Sequence, residues 1–239
     1  CYADMFYHPK TAAETARELG IRSQIGFPLF GDAKRLKTDY EIDVHKGLQL
    51  HDMFKDQPLN KIACAPCSIS LVDNEILANL ATYTNELELA VHVPTHESVD
   101  EITDCMDRYG SRPLQRLLDL GMLSSQTQLV HMIQVDDRDL RLLETHNCKI
   151  IHCPGSNLRD AEGCCPVSKL TEAGVEVALG TGNAASNNGF DLFDEIKNAV
   201  LVAKNLSNQA SASNAYKALR MATINGARAL GLDSQIGSI

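Results

Sequence analysis

Tryptophan is absent from this 239-residue chain, and six Phe and six Tyr bring aromatics to only 5%. No apolar run is long enough to span a bilayer, which removes the helical membrane-protein class. Positive charge is scarce as well: 22 Lys and Arg face 31 Asp and Glu, for a formal net charge of −9. That balance argues against non-specific nucleic-acid binding and against attraction to an anionic membrane surface. The first residues, Cys1–Met5, carry no basic-then-apolar leader pattern, and with no initiator Met the chain reads as an internal piece. No Gly-x-Gly-x-x-Gly follows the first apolar segment, which weakens a dinucleotide-binding reading. Eight cysteines lack the spacing of a small secreted scaffold and fit free thiols in a reducing cytoplasm. Cys64-Ala-Pro-Cys67 has metal-ligand or redox spacing but no second pair to complete it, and adjacent Cys164 and Cys165 read as small buried residues.

What is present is a repeated order of short apolar strand, loop and amphipathic helix. Strands read at Cys1–Met5, Arg22–Gly26, Ile62–Ala65, Ala90–Val93, Leu129–Met132, Lys149–His152 and Val175–Leu179. Helices read at Thr11–Leu19, Asp39–Lys55, Asp73–Leu87, Ser98–Tyr109, Pro113–Leu118, Asp137–Thr145, Val167–Ala173, Leu192–Asn205 and Asn214–Ala222. Thr11-Ala-Ala-Glu14 and Ser98-Val-Asp-Glu101 have the form of capping boxes, and Leu192, Ile196, Ala199 and Ala203 make a helical core stripe. Alternation of this kind means parallel strands with right-handed crossovers. Polar residues gather at the strand C-termini, where a (β/α) barrel concentrates its chemistry. The expectation is an α/β chain of TIM-barrel type, residues 1–239 forming one domain.

Four strand ends stand out: Val91-His-Val-Pro-Thr-His-Glu97, Val130-His-Met132, Ile151-His-Cys-Pro-Gly-Ser-Asn-Leu158, and Leu179-Gly-Thr-Gly-Asn-Ala-Ala-Ser-Asn-Asn188. With the tail Ala222-Thr-Ile-Asn-Gly-Ala-Arg-Ala-Leu-Gly231, this ordered set resembles the amidohydrolase superfamily. The nearest branches are the 5-methylthioadenosine/S-adenosylhomocysteine deaminases and the triazine hydrolases. The resemblance implies hydrolysis of a C–N bond on an N-heterocycle by water on a divalent metal, usually zinc, which lowers that water's pKa from 15.7 to about 7.

Carried over by position, Glu97 falls on the family's proton-shuttling Glu, His131 on its sixth-strand His, and Ser186 on a substrate-contacting Ser. Cys67 stands where the family has a substrate-contacting His, and His152 and Asn187 join these as candidate substrate contacts. The fifth-strand metal His falls on Pro94 and the eighth-strand metal Asp on Gly182. The metal-binding His-x-His pair belongs upstream of Cys1. The resemblance places Cys1–Met5 as a second barrel strand, so that the first strand and a small β-domain are missing from an incomplete barrel. We therefore expect no metal held by this chain and little or no hydrolysis.

Two alternatives stay open. One is a non-catalytic protein that binds a nucleoside-like ligand or a partner protein. The other is a hydrolase with a rearranged zinc site, in which His92 and His96 share a strand face with position 94 and a Cys67 or Cys153 thiolate completes the set. The simpler reading of the two histidines is residues left hydrogen-bonded in a wet pocket. The expected partner is a small N-heterocycle or nucleoside. Neither nucleic acid nor membrane is expected, and exposed barrel edges favour self-association.

Overall fold

In a computed structural model, residues 1–5, 7–30 and 44–238 are described. Seven strands alternate with helices: β1 Tyr2–Met5, α1 Pro9–Glu18, β2 Ser23–Leu29, α2 Val44–Phe54, β3 Asn60–Pro66, α3 Asn74–Glu86, β4 Val91–Thr95, α4 Val99–Tyr109 and α5 Pro113–Asp119. There follow β5 Thr127–His131, α6 Asp137–His146, β6 Lys149–His152, α7 Pro154–Asp160, α8 Val167–Glu172, β7 Glu176–Leu179, α9 Leu192–Ser207, α10 Ala215–Ala222 and α11 Ile224–Ala229. The described chain divides into two compact units, one of Cys1–Pro94 with Arg116–Met122, the other of Thr95–Gln115 with Leu123–Ile239. No helix among the described residues is long and apolar enough to cross a membrane.

The first unit is built on parallel pairing of β1 with β2, β2 with β3, and β3 with β4. Every residue of β2 is buried, as a strand covered on both faces must be. Met5, Gly26 and Ala63 share one register. A Cβ on Gly26 would stand 2.6 Å from the Ala65 Cβ, so only glycine fits there. Phe27, Phe54, Ile69, Leu77 and Leu80 close the core around the sheet. Buried Arg116 donates to the carbonyls of Ile69 and Val72 and to Asn74 Oδ1, pinning the segment that leads into α3.

In the second unit β5, β6 and β7 also pair in parallel, with Leu129, Ile150 and Val177 in one register. All three are buried and form an apolar layer. Side chains on one face recur every second residue, so His131, His152 and Leu179 form the next layer toward the strand C-termini. At the opposite end Glu176 meets Lys149 at 3.4 Å and Arg228 at 3.0 Å. Asn225 Nδ2 donates to the Val177 carbonyl and Gln128 Nε2 to that of Ala229, fastening α11 across the strand bottoms. Structural polar contacts therefore sit at one end and the two imidazoles at the other, the division of labour seen in (β/α) units.

Several sequence expectations need correction. The first helix starts at Pro9 after His8, with no side-chain cap, and Thr11 lies inside it. Pro at the first helical position is preorganised for a helix start, and that signal outweighs the Thr-x-x-Glu spacing. Ile151–Leu158 is not all strand end: the chain turns into α7 at Pro154, again on a Pro start. α11, at Ile224–Ala229, is a helix that the apolar periodicity does not predict. In α9 the buried face is Glu195, Ala199, Val202 and Ala203, while Leu192 and Ile196 are only half-buried. Positions 39–43 of the second expected helix lie outside the described residues. Gly110 and Gly174, just past α4 and α8, take left-handed backbone, with φ of 69° and 78°.

Candidate active site

The contacts around His131, Glu97 and His152 lie in the second unit. His131 closes β5 with φ 76°, and Met132 follows at 45°. Two successive left-handed non-glycine residues cost roughly 1–3 kcal/mol each and persist only where surroundings impose them. Here the Met132 N–H donates to the Thr95 carbonyl at 3.1 Å, and the N–H groups of Ile133 and Gln134 donate to that of His96 at 2.9 and 3.0 Å. The turn aims the His131 ring between two partners. Nδ1 receives the Asn157 amide Nδ2 at 2.8 Å, and Nε2 stands 3.3 Å from Glu97 Oε1. With Asn157 donating, the proton of neutral His131 sits on Nε2 and points at Glu97. Burial lowers the His131 pKa and the Glu97 charge opposes that shift. The side chain of His131 is 10% exposed and that of Glu97 42%, so the carboxylate is the accessible member of the pair. A carboxylate against a neutral imidazole can accept and return a proton.

Glu97 is positioned by the start of α4. Ser98 Oγ caps the helix by accepting the Glu101 N–H at 3.1 Å. Glu101 does not complete the expected box at Ser98: its Oε2 accepts the N–H of Glu97 instead, at 2.8 Å.

His96 does not share a face with His92 and position 94. β4 ends at Thr95, and His96 turns out of the strand at φ 55°. Its ring is fully buried, so the wet-pocket reading fails for it, and the rearranged zinc site loses one of its imidazoles. Nε2 accepts the Leu114 N–H at 3.1 Å, and Nδ1 faces Asp139 Oδ2 at 3.4 Å. Arg112 Nη2 donates to the same carboxylate at 2.7 Å, and Asp139 closes a capping box with Asp136 at the start of α6. Burial lowers the His96 pKa to about 4, so the ring is neutral. In the first unit His92 acts on Asp4, whose carboxyl burial raises and His92 pulls back.

His152 is completely buried, and neither ring nitrogen has a hydrogen-bond partner among the described residues. Burial, with the nearby His131, lowers its pKa to about 3. Each unmet buried polar atom costs about 1–3 kcal/mol, and such groups in native proteins call for a water, a ligand or a functional reason.

After β7, Asn183 Oδ1 accepts the N–H groups of Ala185 and Ser186 and folds the loop into a tight turn. Ser156 Oγ donates to Ser186 Oγ at 2.6 Å. Asn187 Nδ2 donates to Glu195 Oε1 and Gly155 N–H to Glu195 Oε2, each at 2.8 Å. Burial pushes the Glu195 carboxyl up. Cys67 lies in the first unit just beyond β3, half-buried, its N–H donating to the Leu29 carbonyl at 3.0 Å. All eight cysteines are free, and burial raises the thiol pKa of Cys148 and Cys153 to about 12.

Sequence reasoning missed Asn157, Asp139, Arg112 and Glu195 as supports. Asn157 stood within the quoted His-Cys-Pro-x-Ser-Asn run, so its signal was present; the others are joined to the site only by folding.

The pattern of the amidohydrolase family matches residues 2–239. The chain belongs to the amidohydrolase family. It is 42% identical over 239 residues to the 5-methylthioadenosine/S-adenosylhomocysteine deaminase of Saccharophagus degradans, covering 100% of this chain and 54% of that protein. It is 33% identical over 236 residues to the 5'-deoxyadenosine deaminase of Methanothrix thermoacetophila, covering 99% and 55%. The chain thus spans about half the length of the curated relatives it matches. The solved adenosine deaminase from Xanthomonas campestris, with bound zinc, superposes with a TM-score of 0.91 at 33% identity, over 98% of this chain and 53% of that one. A triazine hydrolase from Arthrobacter aurescens shares the fold, with a TM-score of 0.89 at 23% identity over 98% and 56%. The architecture is the TIM-type barrel of this family, with seven of a barrel's eight strands among the described residues.

The zinc in that solved relative raises the question of fit. Among the described residues no three His, Cys, Asp or Glu side chains are grouped to hold a metal. Pro94 has no donor atom. Gly182 has φ 71°, and a Cβ there would stand 2.8 Å from the Ser156 Cβ. The residues this chain places at those positions do not fit a metal.

Proposed function

We propose that this chain, as a single partial barrel domain, recognises an aminopurine nucleoside or a similar N-heterocycle and hydrolyses it weakly or not at all. The recognition half of the reading rests on the Glu97–His131 pair, 3.3 Å apart and braced by Asn157. The accessible Glu97 carboxylate meets a ring N–H or amino group of the ligand. His131 offers its Nε2 proton beside it, and Asn157 holds the tautomer. His152 supplies an unpaired donor and acceptor in the same side-chain layer. Ser186 and Asn187 are assigned to the ligand's remaining polar edge. The relatives named as deaminases of 5-methylthioadenosine, S-adenosylhomocysteine and 5'-deoxyadenosine support the ligand class.

The catalytic half of the reading rests on Pro94 and Gly182. Neither has a metal-binding side chain, so these two positions do not help to generate a neutral-pH hydroxide. Self-association along the outer edge of β1, and a cytoplasmic location for a chain with eight free thiols, complete the reading. The test is a thermal shift with 5'-methylthioadenosine. A rise in melting temperature that Glu97→Ala removes supports the reading, and no rise at saturating nucleoside contradicts it.

A further inference from the structure

The carboxylate of Glu101 sits on the backbone of Glu97. Oε2 accepts the Glu97 N–H at 2.8 Å, and the N–H of His96 also faces this carboxylate. Oε1 is buried with no hydrogen-bond partner. A helix-capping Glu ordinarily turns back to the N-cap residue's own N–H. Here Ser98 is that residue, and Glu101 passes over it to the position before. The chain entering at Glu97 leaves His96 in left-handed backbone. Its approach is fixed from one side by the His96 carbonyl, which receives Ile133 and Gln134 N–H, and from the other by Glu101.

We infer that Glu101 is a positioning residue: by clasping the Glu97 backbone it sets where the Glu97 carboxylate stands against His131. The inference rests on the reading of Glu97 and His131 as a working pair. The pairing supplies a direct readout, because the Glu97 charge raises the His131 pKa. Asp160 and Glu162 also raise the His131 pKa, and His152 lies near enough to be lowered by His131. Glu101 meets the pair at the Glu97 backbone, so a change at 101 is expected to reach His131 through Glu97.

The experiment is an NMR titration of the His131 Cε1–Hε1 resonance in the intact chain, assigned with His131→Asn. Glu97→Gln is the reference and lowers the His131 pKa by about 0.5 units or more. Glu101→Ala is expected to lower it by a comparable amount, with no further drop in the double variant. Glu101→Gln, which keeps an acceptor oxygen, is expected to stay at the wild-type value and supplies the comparison if the alanine variant folds poorly. A Glu101→Ala protein that melts earlier but titrates like wild type has lost only a helix cap, which overturns the inference. So does a Glu101→Gln protein that drops as far as Glu97→Gln. If Glu97→Gln itself leaves His131 unmoved, the pairing falls and the inference falls with it, a result distinct from failure at 101 alone.

Discussion

Asn157 Nδ2 meets His131 Nδ1 at 2.8 Å, and this one contact decides which nitrogen of His131 carries its proton. Asn157 lies on α7 and His131 ends β5, so the tautomer is set by a helix that starts on a proline.

Asn157→Ala leaves a buried imidazole nitrogen without its donor. The expected cost is about 1–2 kcal/mol of stability, measured by urea unfolding. Nucleoside binding should weaken with it. Full affinity in a destabilised protein would mean that the tautomer is set elsewhere.

Asp139 accepts from Arg112 and from the N–H of Asp136, and it faces His96 Nδ1 at 3.4 Å. Asp139→Asn leaves the Arg112 cation only the longer carboxylate contact to Asp136, at 3.4 Å, and should cost roughly 1.5–3 kcal/mol, more than an exposed pair contributes. A change under about 0.5 kcal/mol would show the cluster to be ornamental.

The pH dependence has two opposing parts. His152 and His96 have folded pKa values near 3 and 4, below the 6.5 of an unperturbed imidazole. The unfolded chain binds more protons at these sites, so stability falls as pH drops below about 6.5. Glu101 is pushed up to about 7, by burial first and the Glu97 charge second, with the N–H groups of Glu97 and His96 opposing. The folded chain binds more protons there, so between about 7 and 4.5 acidification adds stability. Glu101→Gln should therefore steepen the acid loss, and His152→Phe should flatten it. Because His152 has no partner to lose, His152→Phe at pH 7.5 should be neutral or stabilising, read from melting temperature against pH.

Much of this was legible before folding. The strand–helix alternation needs only local periodicity, and the strand-end motifs named the family. Glu97, His131 and Gly182 lie at or just past strand ends, where that alternation directs attention. What escaped has two physical causes. Pro154-Gly-Ser-Asn lies in a strand-end motif with no helical stripe, yet the proline's fixed φ starts a helix, which hid α7 and the role of Asn157. His96 looked like the face-mate of His92 because alternation assumes the strand continues. A single left-handed residue ended it and sent the ring to the Leu114 N–H, 18 residues onward. Glu195 sat on the buried face because two partners from other segments satisfy it, information that no helical stripe contains.

Gly182 and Pro94 bear most directly on the account, since the reading stands on what those two positions cannot supply. The deciding measurement is the metal content and ammonia release of the purified chain supplied with zinc and 5'-methylthioadenosine. The account predicts well under one zinc per chain after dialysis and no ammonia above the protein-free control. Stoichiometric zinc with steady turnover that Glu97→Gln abolishes would contradict it.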